Sequence, residues 1–168
     1  MSVSAIPAAS ARAGGGGESL KDAVQQTLDE ARMVQPGIQA LFGFQLIAVF
    51  NDGFQRHLSE AEQAVHLVAL VLVTIAIALV MTPAAYHRQM QPRQVTQAFL
   101  ILASRFVSGA LLPLAAGLAL DVHLVARVIT GSVLVGAIVG GGVFAILIGL
   151  WFAYPQWDVA KSRRGAKR

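Results

Sequence analysis

Arg105 is the residue whose type and position point most directly to chemistry, because it lies inside an apolar stretch of the chain. It follows Ala98, where this stretch begins, by seven positions, or about 10 Å along a helix. An arginine at the centre of a membrane costs roughly 2.5–3.5 kcal/mol. The side chain therefore either reaches back to lipid headgroup phosphates or pairs with another protein group. For the second case we predict a contact with Glu30; Asp29 or Gln39 could take its place.

Three polar side chains, those of Gln39, Gln45 and Asp52, belong to the first long apolar stretch. Gln45 and Asp52 are seven positions apart, which places them on one face if both belong to a single helix. They could line a polar path through a membrane. We favour hydrogen bonds between helices, which commonly contribute about 0.6 kcal/mol each inside a membrane.

The four histidines raise the question of a metal ion or a haem. We expect His57, His66 and His123 near one membrane face and His87 near the other, since His66 and His87 are 21 positions apart, or about 31 Å along a helix. A metal site built from the first three with Asp121 is conceivable, but the spacing matches no compact metal motif. We predict hydrogen bonding at the membrane interface for all four and no metal site.

The residue content excludes several kinds of catalytic site. The chain has no cysteine, so thiolate nucleophiles, zinc–thiolate sites and iron–sulfur clusters are excluded. Ser104 and Ser108 have no histidine in helical register, and the Gly14–Gly17 run precedes no strand that could make it a phosphate-binding loop. We therefore predict that the chain is not an enzyme and holds no cofactor.

The composition is that of a membrane protein. Hydrophobic residues make up 55% of the 168 and charged residues 13%, whereas soluble domains carry about 25% charged residues. The formal net charge of +4 does not indicate nucleic acid, since five of the 13 basic residues lie in the last eight positions. A basic tail beside an apolar segment is typical of a cytoplasmic membrane surface.

The order of polar and apolar segments predicts the architecture. Residues 1–18 predict a disordered arm, and residues 19–35 predict an amphipathic helix, because their apolar side chains recur at helical spacing. Pro36 and Gly37 break or kink that helix. The fold class is all-α, an integral membrane four-helix transmembrane bundle preceded by an amphipathic helix. Within a membrane domain of residues 36–157, the spans lie at about 36–54, 64–86, 98–120 and 127–153, with a re-entrant segment as the alternative for the first.

Basic residues predict the orientation of these spans. Four spans place both ends of the chain on one side, and that side carries ten of the 13 Lys and Arg against two on the other. This bias predicts that both termini, including the basic tail at 158–168, face the cytoplasm. Trp151, Tyr154 and Trp157 are typical of an aromatic belt at the membrane surface.

The last span carries two rows of small residues. Such rows let helix backbones approach closely, so this helix is predicted to pack tightly, either inside the bundle or against another subunit. Gly140→Leu should weaken a dimer formed along it. The rows comprise Ser132, Gly136 and Gly140 on one side and Ala137, Gly141, Ala145 and Gly149 on the other.

Two segments resemble an uncharacterised family of bacterial membrane proteins that is defined as a domain of unknown function. The first runs from Glu30-Ala31-Arg32 to Pro36-Gly37-Ile38-Gln39-Ala40-Leu41-Phe42-Gly43-Phe44-Gln45-Leu46, and the second is Pro83-Ala84-Ala85-Tyr86-His87-Arg88. The resemblance covers about residues 20–154 and implies a small multi-pass protein of the bacterial cytoplasmic membrane, without an assigned activity. It directs attention to a polar set at the inner face: Glu30, Arg32, Gln39, His87 and Arg88, beside Arg105.

Two functions remain open on these residues. The first is a non-enzymatic structural or regulatory bundle that self-associates or accompanies a larger membrane complex. The alternative is a small oligomeric transporter or channel in which Arg105, Gln39, Gln45 and Asp52 line the route. In both cases the partners are the lipid bilayer and other membrane chains, and nucleic acid is not among them.

Overall fold

Five helices follow one another along the part of the chain that the structure describes. The computed structural model describes residues 10–89, 97–154 and 156–157, with side chains from Asp22 onward except that of His87. A π-helical segment, Gly149–Ala153, continues the last helix. The helices are α1 (Ser10–Val49), α2 (Asp52–His57), α3 (Glu60–Gln89), α4 (Gln97–Thr130) and α5 (Val133–Ile148).

The first helix, α1, is continuous, so the separate amphipathic helix at 19–35 is not observed. Pro36 lies inside α1, although an interior proline costs about 3 kcal/mol. Tertiary packing explains the continuity: the residues of α1 that are buried most deeply, Val24, Ala31, Ile38 and Gln45, recur every seven positions on both sides of the proline. One buried stripe therefore runs along the whole helix.

The disordered arm predicted for residues 1–18 is not observed in its described part, residues 10–18. Residues 10–18 belong to α1, although this segment contains four glycines, each of which costs about 1 kcal/mol in a helix relative to alanine. Residues 1–9 and the basic tail at 158–168 lie outside the described residues.

Helices α3 and α4 form the centre of the bundle, and α1 packs against both. The main apolar cluster joins Ala31 and Ile38 of α1 to Val73 and Ala76 of α3 and Leu114 of α4. A second cluster joins Val24 to Phe99 and Ala103 of α4. The fifth helix lies mainly on α4, which leaves much of its surface exposed.

Three of the described helical segments are long and apolar enough to cross a membrane: Glu60–Tyr86, Gln97–Thr130 and Val133–Ala153. The third predicted span is thus part of a longer helix that continues past residue 120. The fourth begins at residue 133 and not at 127. Gly131 separates the two helices, because its backbone adopts φ 68°, a conformation that glycine takes without steric cost. Ser132 then caps α5 by accepting a hydrogen bond from the Val135 N–H.

The two glycine rows of α5 have different surroundings. Gly136 and Gly140 are buried, and a Cβ atom added at Gly140 would lie 2.7 Å from the Ala119 carbonyl oxygen. Gly141 and Gly149 have open space at the same position. The row of Gly136 and Gly140 therefore packs inside the chain, so the Gly140→Leu substitution would damage the fold and could not serve as a test of dimerisation.

Candidate functional site

A buried polar cluster joins three helices at the end of the bundle that carries α2, here called the α2 end. Gln45 of α1 donates a hydrogen bond from Nε2 to Asp121 Oδ2 of α4 at 2.6 Å. His66 of α3 lies 3.0 Å, through Nε2, from the backbone carbonyl oxygen of Gln45. Its Nδ1 lies 3.6 Å from Asp121 Oδ1. The three residues therefore contact one another in a closed ring, in which the Gln45 backbone carbonyl makes the contact with His66.

The surroundings of this cluster exclude most of the solvent. The side chains of His66 and Asp121 are 9% and 19% exposed, and Gln45 is 3% exposed. The Phe54 ring of α2 meets the His66 ring edge-on, with 5.2 Å between the ring centroids. Gln45 Oε1 is buried and accepts no hydrogen bond from the described residues. Most buried acceptors have a donor, and Gln45 Oε1 is an exception within the described residues.

A cavity of about 510 Å³ lies directly beside the cluster. Gln45, His66 and Asp121 form its polar wall, and the other walls are mainly apolar. These walls come from α1, α2 and α4, and they include Leu41, Phe44, Ala48, Phe54, Leu124, Val125, Val128 and Ile129. Volume and lining both suit a small molecule with an apolar body and a polar group.

A second set of polar contacts closes the α2 end. Arg127 of α4 forms an ion pair with Glu62 of α3 and donates a hydrogen bond to the His57 carbonyl oxygen at 2.8 Å. Glu62 also accepts hydrogen bonds from the Ser59 backbone N–H at 2.9 Å and hydroxyl at 2.7 Å. These contacts hold the α2 segment between α3 and α4, so they position one wall of the cavity.

Comparison with known proteins assigns the chain to a family. Residues 17–155 match the family of unknown function DUF6328. The chain belongs to DUF6328. No curated protein and no solved structure matches it. The predicted resemblance to a domain of unknown function is confirmed, and the matched region of this DUF6328 chain includes all residues of the buried cluster.

The polar set predicted for the inner face of the DUF6328 chain lies at the surface of the described helices, wherever its side chains are described. Glu30, Arg32, Gln39, Arg88 and Arg105 are all exposed, and the side chain of His87 lies outside the described residues. Arg32 contacts Asp29 on its own helix at 3.2 Å. Glu30 accepts a hydrogen bond from Gln26 at 3.3 Å. Among the described ion pairs none joins Arg105 to Glu30, so the predicted contact is not observed.

The two polar residues expected to share a helix face have separate positions. Asp52 is exposed and begins α2, because α1 ends at Val49. It contacts Arg56 at 3.4 Å. Gln45 makes the hydrogen bond between helices that we favoured. Of the four residues proposed to line a transport route, namely Gln39, Gln45, Asp52 and Arg105, the cavity at the α2 end contains only Gln45.

The three histidines whose side chains are described also have different surroundings. His66 belongs to the buried cluster, His57 lies at the cavity, and His123 packs beneath Gly136 and Gly140. Within the described residues, no three or more His, Asp or Glu side chains converge as metal ligands. The predicted third span ends at residue 120 and leaves Asp121 just outside it, whereas α4 continues to Thr130 and includes Asp121.

The environments of two arginines on α4 predict different stability effects. We expect Arg105→Gln to leave the melting temperature in detergent unchanged, because Arg105 is exposed and has no described ion pair. We expect Arg127→Gln to lower the unfolding free energy by about 1.5–3 kcal/mol, since Glu62 loses a charged partner. Thermal unfolding of both variants measures the difference. A destabilised Arg105→Gln protein beside an unchanged Arg127→Gln protein would contradict this assignment.

Proposed function

We propose that this chain is a four-span protein of the cytoplasmic membrane that acts without enzymatic chemistry, as a structural or regulatory bundle. It associates through its transmembrane surface with a second helix, either from another copy or from a larger complex. Both termini face the cytoplasm. The excess of basic residues on the side of the termini supports this orientation. The apolar stretch of α1 after Pro36 supports a fourth span beside the three apolar helices.

One observation carries the proposed association: a groove between α3 and α5, with α4 as its floor. The groove encloses about 410 Å³ and is lined by small residues from two helices, among them Ala116 and Ala119 of α4 and Ala137 and Gly141 of α5. Small residues allow close approach of a further helix inside a membrane. Two members of the second small-residue row, Ala137 and Gly141, thus line this groove.

Association along the groove is tested by Gly141→Leu, with Gly142→Leu as the matched control. A leucine fits at both positions within one chain, since a Cβ atom would have open space there. Of these two positions, only Gly141 lines the groove. We expect the native mass in mild detergent to exceed 17.7 kDa of protein for the unmodified chain and for Gly142→Leu, and to fall for Gly141→Leu.

Two results would contradict the proposal. One is an unmodified chain that is monomeric when extracted gently from its own membrane and has no other chain bound. The other is a Gly141→Leu chain whose mass equals that of the Gly142→Leu control. Mass spectrometry of the extracted complex distinguishes a second copy from a different partner.

A further inference from the structure

The cavity at the α2 end contains one carboxylate without a permanent positive partner. Asp121 lines it, and no Lys or Arg is among its lining residues. The charged pairs nearby are already formed: Glu62 with Arg127 and Asp52 with Arg56. His57 and His66 are the titratable groups that share the cavity with Asp121, while His123 lies on the side of α4 that faces α5.

The two polar contacts of His66 bear on where a proton lies in this cluster. The Gln45 backbone carbonyl can only accept, so His66 Nε2 is the donor in their 3.0 Å contact. In a neutral imidazole, Nδ1 then carries a lone pair, and it faces Asp121 Oδ1 at 3.6 Å. Two acceptors would face each other unless one proton lies on His66 Nδ1 or on Asp121. With one such proton, the His66–Asp121 pair is neutral.

Gln45 fixes the Asp121 carboxylate in the same wall. Its Nε2 is committed to Asp121 Oδ2, and its Oε1 is buried with no donor among the described residues. Gln45 thus holds the carboxylate in place, and the Asp121 carboxylate is the acceptor that the wall offers to the cavity. A carboxylate suits a group with N–H donors and a positive charge.

We propose that this cavity binds an organic cation that has an ammonium group and an apolar body, and that the cation replaces the proton shared by His66 and Asp121. The ammonium donates to Asp121, and the apolar body contacts the walls formed by Phe44, Leu124 and Val128. The exchange keeps charge balanced, since one proton leaves as one monocation enters and the wall remains neutral. The inference does not depend on association along the α3–α5 groove.

The exchange gives the binding a signature that adsorption to apolar surface lacks. A cation that displaces a proton binds more tightly as the pH rises, because protons compete with it. A neutral molecule of the same shape displaces no proton and has the same affinity at each pH. The number of protons released follows from titration calorimetry in two buffers that differ in ionisation enthalpy.

The test uses 4-phenylbutylamine as the cation and 4-phenylbutan-1-ol as its neutral analogue, with the full chain in detergent. Asp121→Asn is the decisive variant. An asparagine can still accept from Gln45 Nε2 and can donate to His66 Nδ1, so it keeps the hydrogen bonds of the wall without the charge or the shared proton. Asp52→Asn is the matched control, since Asp52 is an exposed carboxylate outside the cavity.

We expect the unmodified chain and Asp52→Asn to bind the amine with release of about one proton. We expect Asp121→Asn to bind the amine with an affinity lower by about tenfold or more, because a charge-assisted hydrogen bond is lost. We also expect this variant to release no proton. Val128→Trp fills the cavity and should weaken binding without changing the polar wall. Equal affinities for amine and alcohol, amine binding without proton release, or unchanged amine binding by Asp121→Asn would each overturn the proposal.

Discussion

Replacing Gly140 with leucine is expected to prevent α5 from packing on α4. An added Cβ would lie 2.7 Å from the Ala119 carbonyl oxygen and 2.8 Å from His123 Cβ, and the first of these atoms is backbone, which cannot move aside without displacing α4. Overpacking of a tight interior typically costs 1–3 kcal/mol and sometimes more. We expect a loss of about 3 kcal/mol or more here, because the whole leucine side chain must be placed between two backbones.

Thermal unfolding in detergent measures this effect, and Gly142→Leu is the control on the same helix. A Cβ at Gly142 has no atom within 4 Å apart from its own helix, so its leucine should point away from the bundle. Gly140→Leu should unfold at a much lower temperature than the control or fail to accumulate in the membrane. Equal melting temperatures for the two leucine variants would show that α5 does not pack on α4 through this row.

Replacing Asp121 with leucine is expected to destabilise the bundle, whereas Asp121→Asn should retain most of its stability. Leucine removes both acceptors of the carboxylate, which leaves Gln45 Nε2 and the Nδ1 side of His66 without a partner in a buried place. Each buried group left without a partner costs about 1–3 kcal/mol. Asparagine supplies one acceptor and one donor in nearly the same shape, so it satisfies both groups.

The comparison of the two variants separates packing from polar contact. Leucine and asparagine have the same number of side-chain heavy atoms with the same branching, and leucine is the bulkier of the two, so a cavity does not explain a lower stability of the leucine variant. The unfolding free energy of Asp121→Leu, measured against the unmodified chain and Asp121→Asn, gives the contribution of the polar contacts. A leucine variant as stable as the asparagine variant would mean that the cluster contributes nothing to folding.

The apolar helices could be predicted closely from the sequence because their signal is local. The apolar run at 64–86 lies within α3, and the small residues at 136 and 140 form the expected close contact, since both follow from the composition of a single segment. The fate of Pro36 could not be predicted in this way. Its local effect favours a break, and the buried stripe that overrides it becomes visible only when α3 and α4 are in place.

Predicting the candidate site from the sequence depended on where the third span, which is part of α4, ends. Ending the third span at residue 120 makes Asp121 a turn residue, while the ion pair of Arg127 with Glu62 and the packing beneath Gly136 keep α4 helical to Thr130. The seven-residue spacing of Val24, Ala31, Ile38 and Gln45 was the available signal. It places Gln45 in the buried stripe and so predicts a buried polar partner for it.

The buried stripe of α1 also has a consequence for how this helix is aligned lengthwise. Val24, Ala31 and Ile38 are apolar and evenly spaced, so sliding α1 by seven residues along α3 and α4 would exchange one apolar contact for another at little cost. Gln45 breaks that equivalence, because Asp121 can accept its hydrogen bond in one alignment only. A single polar residue in an apolar repeat selects one alignment among several. In this chain, the bond from Gln45 to Asp121 sets the axial position of the first helix.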